Sequence, residues 1–247
     1  MQQKVSVIIP FYKNYYYLKK AIRSVLKQTY RNFEIIIIND NLENEKNLPE
    51  KIYKEFKYFN KIKIINNKKN FGAGISRNKG IKLSIGKYVA FLDSDDLWHP
   101  NKLKKQLGYM IKNDIYTSHT SYNIIDKNNR KVGFREAKKL EYKKLLKSCD
   151  IGLSTVMIKK SLLKKNFFAK TKTKEDYILW LKLSKKGVIF FALEETLTSW
   201  RKLNDSLSSS VIRKLIDGYY VYRVFLKQSI VKSFLSLFIL SFNYIKK

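Results

Sequence analysis

Residues 86–100 read GKYVAFLDSDDLWHP. The run 88–92 is short, apolar, rich in β-formers and set off by Gly86, so it predicts a buried strand. Just past its carboxyl end, Asp93, Asp95 and Asp96 fall within four residues, where an open α/β sheet binds its ligands. Carboxylates this close repel one another. A bound hard cation relieves the repulsion, and oxygens at positions i and i+2 suit one. The plainer use of the same residues is a solvated turn, with Asp93 capping a helix that starts near Asn101.

Working outward, residues 5–9 and 33–38 predict strands on either side of a helix over 15–27, whose apolar residues Tyr17, Leu18, Ala21, Ile22 and Val25 recur at helical spacing. This is a βαβ unit, with parallel strands and a right-handed crossover. A Lys-rich helix from about Pro49, a strand at 62–65 and a helix at 75–84 complete four β–α repeats before the acidic turn. Beyond Pro100 the pattern predicts a helix over 101–113, an extended segment over 115–125 and a turn in DKNNRKVG. Helices over 138–147 and 176–186 and strands over 155–158 and 188–193 follow. There is no internal repeat and no low-complexity linker, so residues 1–210 read as one α/β catalytic domain and 211–247 as a helical tail.

At 247 residues the chain is long enough for one large domain with a sizeable core. Its single cysteine, Cys149, excludes an internal disulfide, and no Cys/His cluster suggests zinc, which fits the reducing cytoplasm. The N-terminal apolar run is broken by Pro10 and lacks a small-residue cleavage site, so it reads as the first strand and not as a signal peptide. The net charge of +31 raises the question of nucleic acid, but only 8 of the 51 basic residues are Arg, the residue that reads bases and phosphates in a fork. Nucleic acid is therefore not the expected partner. Clustered Lys beside apolar residues suits an anionic membrane surface better, at about 1 kcal/mol each.

Several residues on the same sheet edge carry chemistry. Tyr12 and Asp40 follow the first and second strands, and together an aromatic ring and a carboxylate make a pocket for a nucleotide base. In NFGAGISRNKG, Gly72 and Gly74 permit close backbone approach ahead of a helix, and Arg77 is placed to meet a diphosphate or pair with a strand-end aspartate. Glu175 and Asp176 begin a helix, where the dipole keeps a carboxylate ionised and positioned, as a general base must be.

VSVIIPFYKN, the Asp40 turn, NFGAGISRNKGI, GKYVAFLDSDDLWHPNKL, KEDYILWLKL and WRKLNDSLSSS together, over residues 4–210, resemble the family 2 glycosyltransferases. The resemblance implies a GT-A, Rossmann-like fold with a central, mostly parallel sheet flanked by helices. It implies transfer of a sugar, usually with inversion, from a nucleotide-sugar (a UDP-sugar is favoured) to a glycan or lipid-linked acceptor in bacterial surface polysaccharide synthesis. Mn²⁺ or Mg²⁺ would sit at a DXD motif formed by Asp93 and Asp95, with Asp95 the direct ligand and Asp93 reaching the ribose or the ion's waters. Asp176 matches the base. Pro10, Tyr12, Asp40, Arg77, Asp93, Ser94 and Arg201 fall at donor-nucleotide positions, Arg201 on the diphosphate with Ser206 a weaker second. Asn39 stands where the family often has an aspartate. Trp98 and His99 follow the motif as in the family; His119 reads as structural, and Leu179 and Trp180 as core.

Two other readings compete. A sugar nucleotidyltransferase would need a Gly-rich basic loop after the first strand, which Pro10 to Asn14 does not provide; a non-catalytic basic membrane-binding module would have no use for the acidic set. In the tail, Phe234, Leu235, Leu237, Phe238, Ile239, Leu240 and Phe242 make an apolar stretch too short to span a bilayer. Lys227, Lys232, Lys246 and Lys247 flank it, and Ser229, Ser233, Ser236 and Asn243 form a polar side. The tail thus predicts either an interfacial helix at the inner face of the cytoplasmic membrane or a helix packed on protein.

Overall fold

The apolar runs of the first hundred residues form strands covered on both faces, in a computed structural model that describes residues 3–56, 60–165, 167–203 and 211–245. β1 (Val5–Phe11) and β2 (Phe33–Asn39) are buried at every position, as parallel strands between two helical layers must be. Successive side chains take opposite faces. Val5, Val7 and Ile9 join Leu18, Ile22 and Val25 of α1 (Tyr15–Leu26) in one core, whereas Ile8 joins Val89 and Phe91 in a second core on the other face. Through α2 (Leu48–Glu55) and α3 (Ala73–Leu83) the chain adds β3 (Ile62–Asn66), parallel to β2, and β4 (Tyr88–Phe91), parallel to β1.

Beyond β4 the sheet becomes mixed. Among the described residues its strand order is β3-β2-β1-β4-β8-β6-β9-β5, with β7 beside β6. β8 (Met157–Lys159) is antiparallel to β4 and to β6 (Thr117–Ile125), and β9 (Phe191–Arg201) runs parallel to β6. β5 (Leu97–Trp98), directly after the acidic turn, pairs with Thr198 and Ser199 near the end of β9. This pairing returns Arg201 to the turn, 105 residues from Asp96, whose carboxylate accepts its backbone N–H. α4 (Lys102–Lys112) and α6 (Glu175–Lys185) pack on opposite faces, Leu103, Leu107 and Met110 in the first core and Tyr177 to Leu181 in the second.

Three expected elements differ. Only α5 (Tyr142–Leu145) is helical within 138–147, because Leu140 exchanges both backbone hydrogen bonds with Phe190 and holds the chain extended before it. The turn in DKNNRKVG is confined to its first half; Lys131–Arg135 forms β7 on β6. The strand expected at 188–193 starts later and runs to Arg201, through Glu194 and Glu195, where register shifts against Thr120 to Tyr122 take up the mismatch. Tertiary pairing overrides local pattern in each case.

The tail comprises α7 (Val211–Tyr220), a π-helical turn (Val221–Phe225) and α8 (Ile230–Ile245). The turn drives Val221 and Tyr222 into the second core. There the hydroxyls of Tyr222 and Tyr177 lie 3.0 Å apart, and they donate to the carbonyls of Leu146 and Leu145. Asn243 Nδ2 donates to the Lys147 carbonyl at 2.9 Å. Among the described residues no helix is long and apolar enough to cross a membrane. Lys246 and Lys247 lie outside the described residues.

Candidate active site

The acidic turn is held by neighbours far away in sequence. At the end of β4, the Asp93 N–H donates to Ser154 Oγ at 3.0 Å, and Asp93 Oδ1 accepts from Arg77 at 2.7 Å. Asp93 therefore does not cap α4. Arg77, on α3 and buried, donates its other terminal nitrogen to Glu175 Oε1, also at 2.7 Å. The pairing of Arg77 with a strand-end aspartate, one of the two uses expected for it, is present. One guanidinium thus joins the strand end that bears the DXD carboxylates to the helix start that bears Asp176. Burial opposes its charge, but Asp93 and Glu175 more than compensate and raise its pKa.

Gly74 makes this junction possible. A Cβ there would lie 2.9 Å from the Ala169 carbonyl and 3.1 Å from Glu175 Cγ, so only glycine lets α3 approach the segment that carries Glu175 and Asp176. Gly72 meets a different need, a backbone φ of +86° at the helix N-cap. Asp176 accepts from the Tyr177 N–H at 2.7 Å, one of the free amides of the helix start. Burial raises the pKa of both Glu175 and Asp176, with Arg77 opposing in each case.

Asp96 is structural. It is buried, accepts from Ser154 Oγ at 2.5 Å and the Arg201 N–H at 2.8 Å, and is pushed well above the ordinary carboxylate range by burial and by Asp95 and Asp93. Asp95 is partly buried and, among the described residues, receives no side-chain donor; burial first, then Asp93, push it up to about 6. Arg201 braces the same turn. Its side chain is 2% exposed and donates to the carbonyls of Asp95 and Asp126 and to Asn129 Oδ1 at 2.7–2.8 Å, with its guanidinium over the Tyr17 ring. Ser206 lies outside the described residues.

Of the residues expected to meet the nucleotide, Pro10 is buried within β1 opposite Ile38, Tyr12 follows the strand and is 43% exposed, and Ser94 is partly exposed in the turn. Asp40 is buried. Its carboxylate accepts from Asn67 Nδ2 and from the N–H groups of Phe71 and Gly72 at 2.7–2.9 Å. Asp40 therefore fastens the loop before α3. Asn39 is turned away, onto the Glu45 carbonyl and Asn66. Trp98 is buried and donates to the Ser154 carbonyl, while His99 stays exposed. His119 is buried, with Nε2 2.9 Å from the Lys138 carbonyl, and burial lowers it to about 4, so it is neutral and donates.

Ser154 was not singled out from sequence, although it contacts Asp93, Asp96, Trp98 and Thr198. Its signal lies in IGLSTVMI, where hydroxyls interrupt an apolar run, since a buried hydroxyl needs a partner. A divalent cation fits the open pair: Asp93 keeps an oxygen not used by Arg77, and Asp95 has no side-chain donor among the described residues while being repelled by Asp93. Both are hard oxygen ligands, the type that Mg²⁺ and Mn²⁺ take. Among the described residues no group of three His, Cys, Asp or Glu side chains forms a metal cage. The protein would thus supply two ligands and leave the rest to phosphate and water, as at magnesium–phosphate sites.

The family model described as Glycosyl transferase family 2 matches residues 6–171. UDP-Glc:alpha-D-GlcNAc-diphosphoundecaprenol beta-1,3-glucosyltransferase WfgD of Escherichia coli is 33% identical over 242 residues, 98% of this chain and 92% of that one. Among solved structures, S. aureus TarS 1-349 in complex with UDP-GlcNAc matches with a TM-score of 0.72 at 20% identity, over 95% of this chain and 70% of that one. Mannosyltransferase PcManGT from Pyrobaculum calidifontis, in complex with GDP-Man and Mn2+, matches with a TM-score of 0.71 at 12% identity, over 96% and 70%. The shared architecture is the GT-A fold expected from the sequence.

Proposed function

The chain belongs to glycosyl transferase family 2, and we propose that it moves the sugar of a UDP-sugar, with inversion, to a hydroxyl of a lipid-linked glycan in bacterial surface polysaccharide synthesis. One observation carries the reading: Arg77 ties the DXD strand end to the helix start of Asp176, so nucleotide-side and acceptor-side carboxylates belong to one rigid junction. The UDP donor and lipid-linked acceptor follow the name of the E. coli relative, which aligns over nearly the whole chain.

In this reading Tyr12 and Asp40 hold the base, with Pro10 and Ser94 lining the pocket. Asp93 and Asp95 would hold Mn²⁺ or Mg²⁺, which would supply positive charge toward the diphosphate. Asp176 takes the proton of the acceptor hydroxyl as its oxygen bonds to the anomeric carbon, and the bond from that carbon to the diphosphate breaks on the opposite face. Burial of Asp176 raises its pKa and strengthens it as a base. Arg77 and Arg201 position the acids and do not touch the reacting atoms. Residues 1–210 form the catalytic part and 211–247 the tail, and the enzyme works as a peripheral protein at the inner face of the cytoplasmic membrane.

The test is a screen of nucleotide-sugars for hydrolysis and for transfer to a diphosphopolyprenol-linked saccharide, with and without chelator. Chelator-sensitive release of UDP is the expected result. Turnover of no nucleotide-sugar, with a folded protein, overturns the proposal.

A further inference from the structure

α8 is arranged opposite to a helix that faces water. Its exposed apolar positions follow a helical stripe that includes Ile230, Val231, Phe234, Leu235, Phe238 and Ile239, each at least 40% exposed. Three of its polar residues face the protein: Ser233 is fully buried, Ser236 Oγ donates to Gln228, and Asn243 reaches the Lys147 carbonyl. A surface helix in water shows the reverse pattern. Ile212, Ile216 and Val224 continue the apolar face onto α7 and the π-helical turn. Between the two helices an open groove of about 450 Å³ is lined by Leu215, Phe234, Leu235, Leu237, Phe238 and Ser241.

Beside the stripe a second groove, of about 230 Å³, combines Lys143, Lys147 and Lys232 with Leu146 and Ile239. Cations therefore rim an apolar floor. A second copy of this chain is a poor occupant, because a self-complementary contact would bring the lysine rims of two strongly basic molecules together. An anionic lipid surface satisfies both features, phosphates on the lysines and acyl chains on the stripe. The 16 residues of α8 measure roughly 24 Å, less than the ~30 Å of a bilayer core, so the helix lies in the interface and does not cross it.

We propose that the outward face of α7 and α8, with Lys143, Lys147 and Lys232 at its edge, is the docking surface by which this protein binds an anionic membrane. This deepens the proposed function, on which it rests only for why docking is useful. The pair is fixed to the catalytic helix: Thr173 Oγ1 donates to Asp217 of α7, and Tyr222 contacts Tyr177 of α6. Docking thereby sets the orientation of Asp176 to the plane that holds a lipid-linked acceptor.

The test is flotation of the full chain with phosphatidylcholine vesicles, with and without phosphatidylglycerol, at low and high salt. The wild type floats with anionic vesicles at low salt and less at high salt. Phe234→Ser/Phe238→Ser lowers binding to anionic vesicles by about tenfold or more for each side chain withdrawn. Lys143→Glu/Lys147→Glu/Lys232→Glu abolishes the preference for anionic lipid. All are surface changes, so melting temperature is retained. A wild type that stays off anionic vesicles at low salt overturns the proposal, as do variants that float like wild type. A lipid-indifferent dimer that Phe234→Ser/Phe238→Ser converts to monomer would assign the face to a second copy. UDP affinity measured by calorimetry without lipid reads the proposed reaction separately, so either idea can fail alone.

Discussion

Replacing Arg77 by Met removes the cation that bridges the two acidic elements while keeping an apolar stem over Phe168, where the guanidinium now lies 5.5 Å from the ring centroid. Two charge-assisted hydrogen bonds of 2.7 Å are lost. Breaking a buried pair from one side costs about 3–5 kcal/mol, because the abandoned charge stays desolvated. Asp93, with 31% of its side chain exposed, can regain water; Glu175, at 12%, cannot. The expected cost is therefore near the lower end, about 3 kcal/mol. For a chain of this length that lowers Tm by about 6–12 °C. Adding Glu175→Gln removes the stranded charge, so the double variant melts above Arg77→Met.

The pH dependence carries the same sign. Glu175 and Asp176 already have folded pKa values above their ordinary ones, and losing Arg77 raises them further. An acid with a raised folded pKa loses stability as pH climbs through that value, so the deficit of Arg77→Met is smallest in acid and grows toward neutrality. Thermal melts of the wild type, both single variants and the double variant from pH 5 to 8 supply the cycle. A Tm within about 2 °C of wild type, or no recovery by Glu175→Gln, would refute the account of Arg77 as a structural bridge.

Asp176→Asn lowers turnover by about 10²–10⁴ while UDP affinity stays within a few fold, checked by rates and calorimetry; wild-type turnover returns Asp176 to a helix-start charge. Asp95→Asn keeps the fold and loses most of the Mn²⁺-dependent affinity for UDP, so titrations with and without chelator converge; undiminished metal-dependent affinity would remove Asp95 from the metal site. His119 is neutral when folded, with its pKa lowered from 6.5 to about 4 by burial. Its contribution is present above pH 6.5 and lost as pH falls toward 4, at most about 3 kcal/mol. His119→Gln, whose amide can still donate to the Lys138 carbonyl, flattens the stability profile between pH 6.5 and 4; an unchanged slope contradicts a buried neutral imidazole.

The sequence by itself determined the repeating β–α half of the fold, since unbroken apolar runs and 3.6-residue spacing are local signals that burial on two faces enforces. It also located the acids at β4 and α6, because strand ends and helix starts are legible wherever periodicity stops. Only the tertiary structure decided what those acids meet. Arg77 finds Glu175 98 residues away, and Arg201 finds Asp96 105 residues away, because β5 crosses to β9 and α3 packs on the start of α6. Arg201 carried an expectation of ligand contact in sequence, and the partners its guanidinium meets in the structure, the carbonyls of Asp95 and Asp126 and the Asn129 side chain, are ones that no local pattern records. For the same reason the tail's spacing showed two unlike faces but not their directions. An amphipathic pattern records that the sides differ, and packing alone turned Ser233 and Ser236 of α8 inward and Phe234 and Phe238 out.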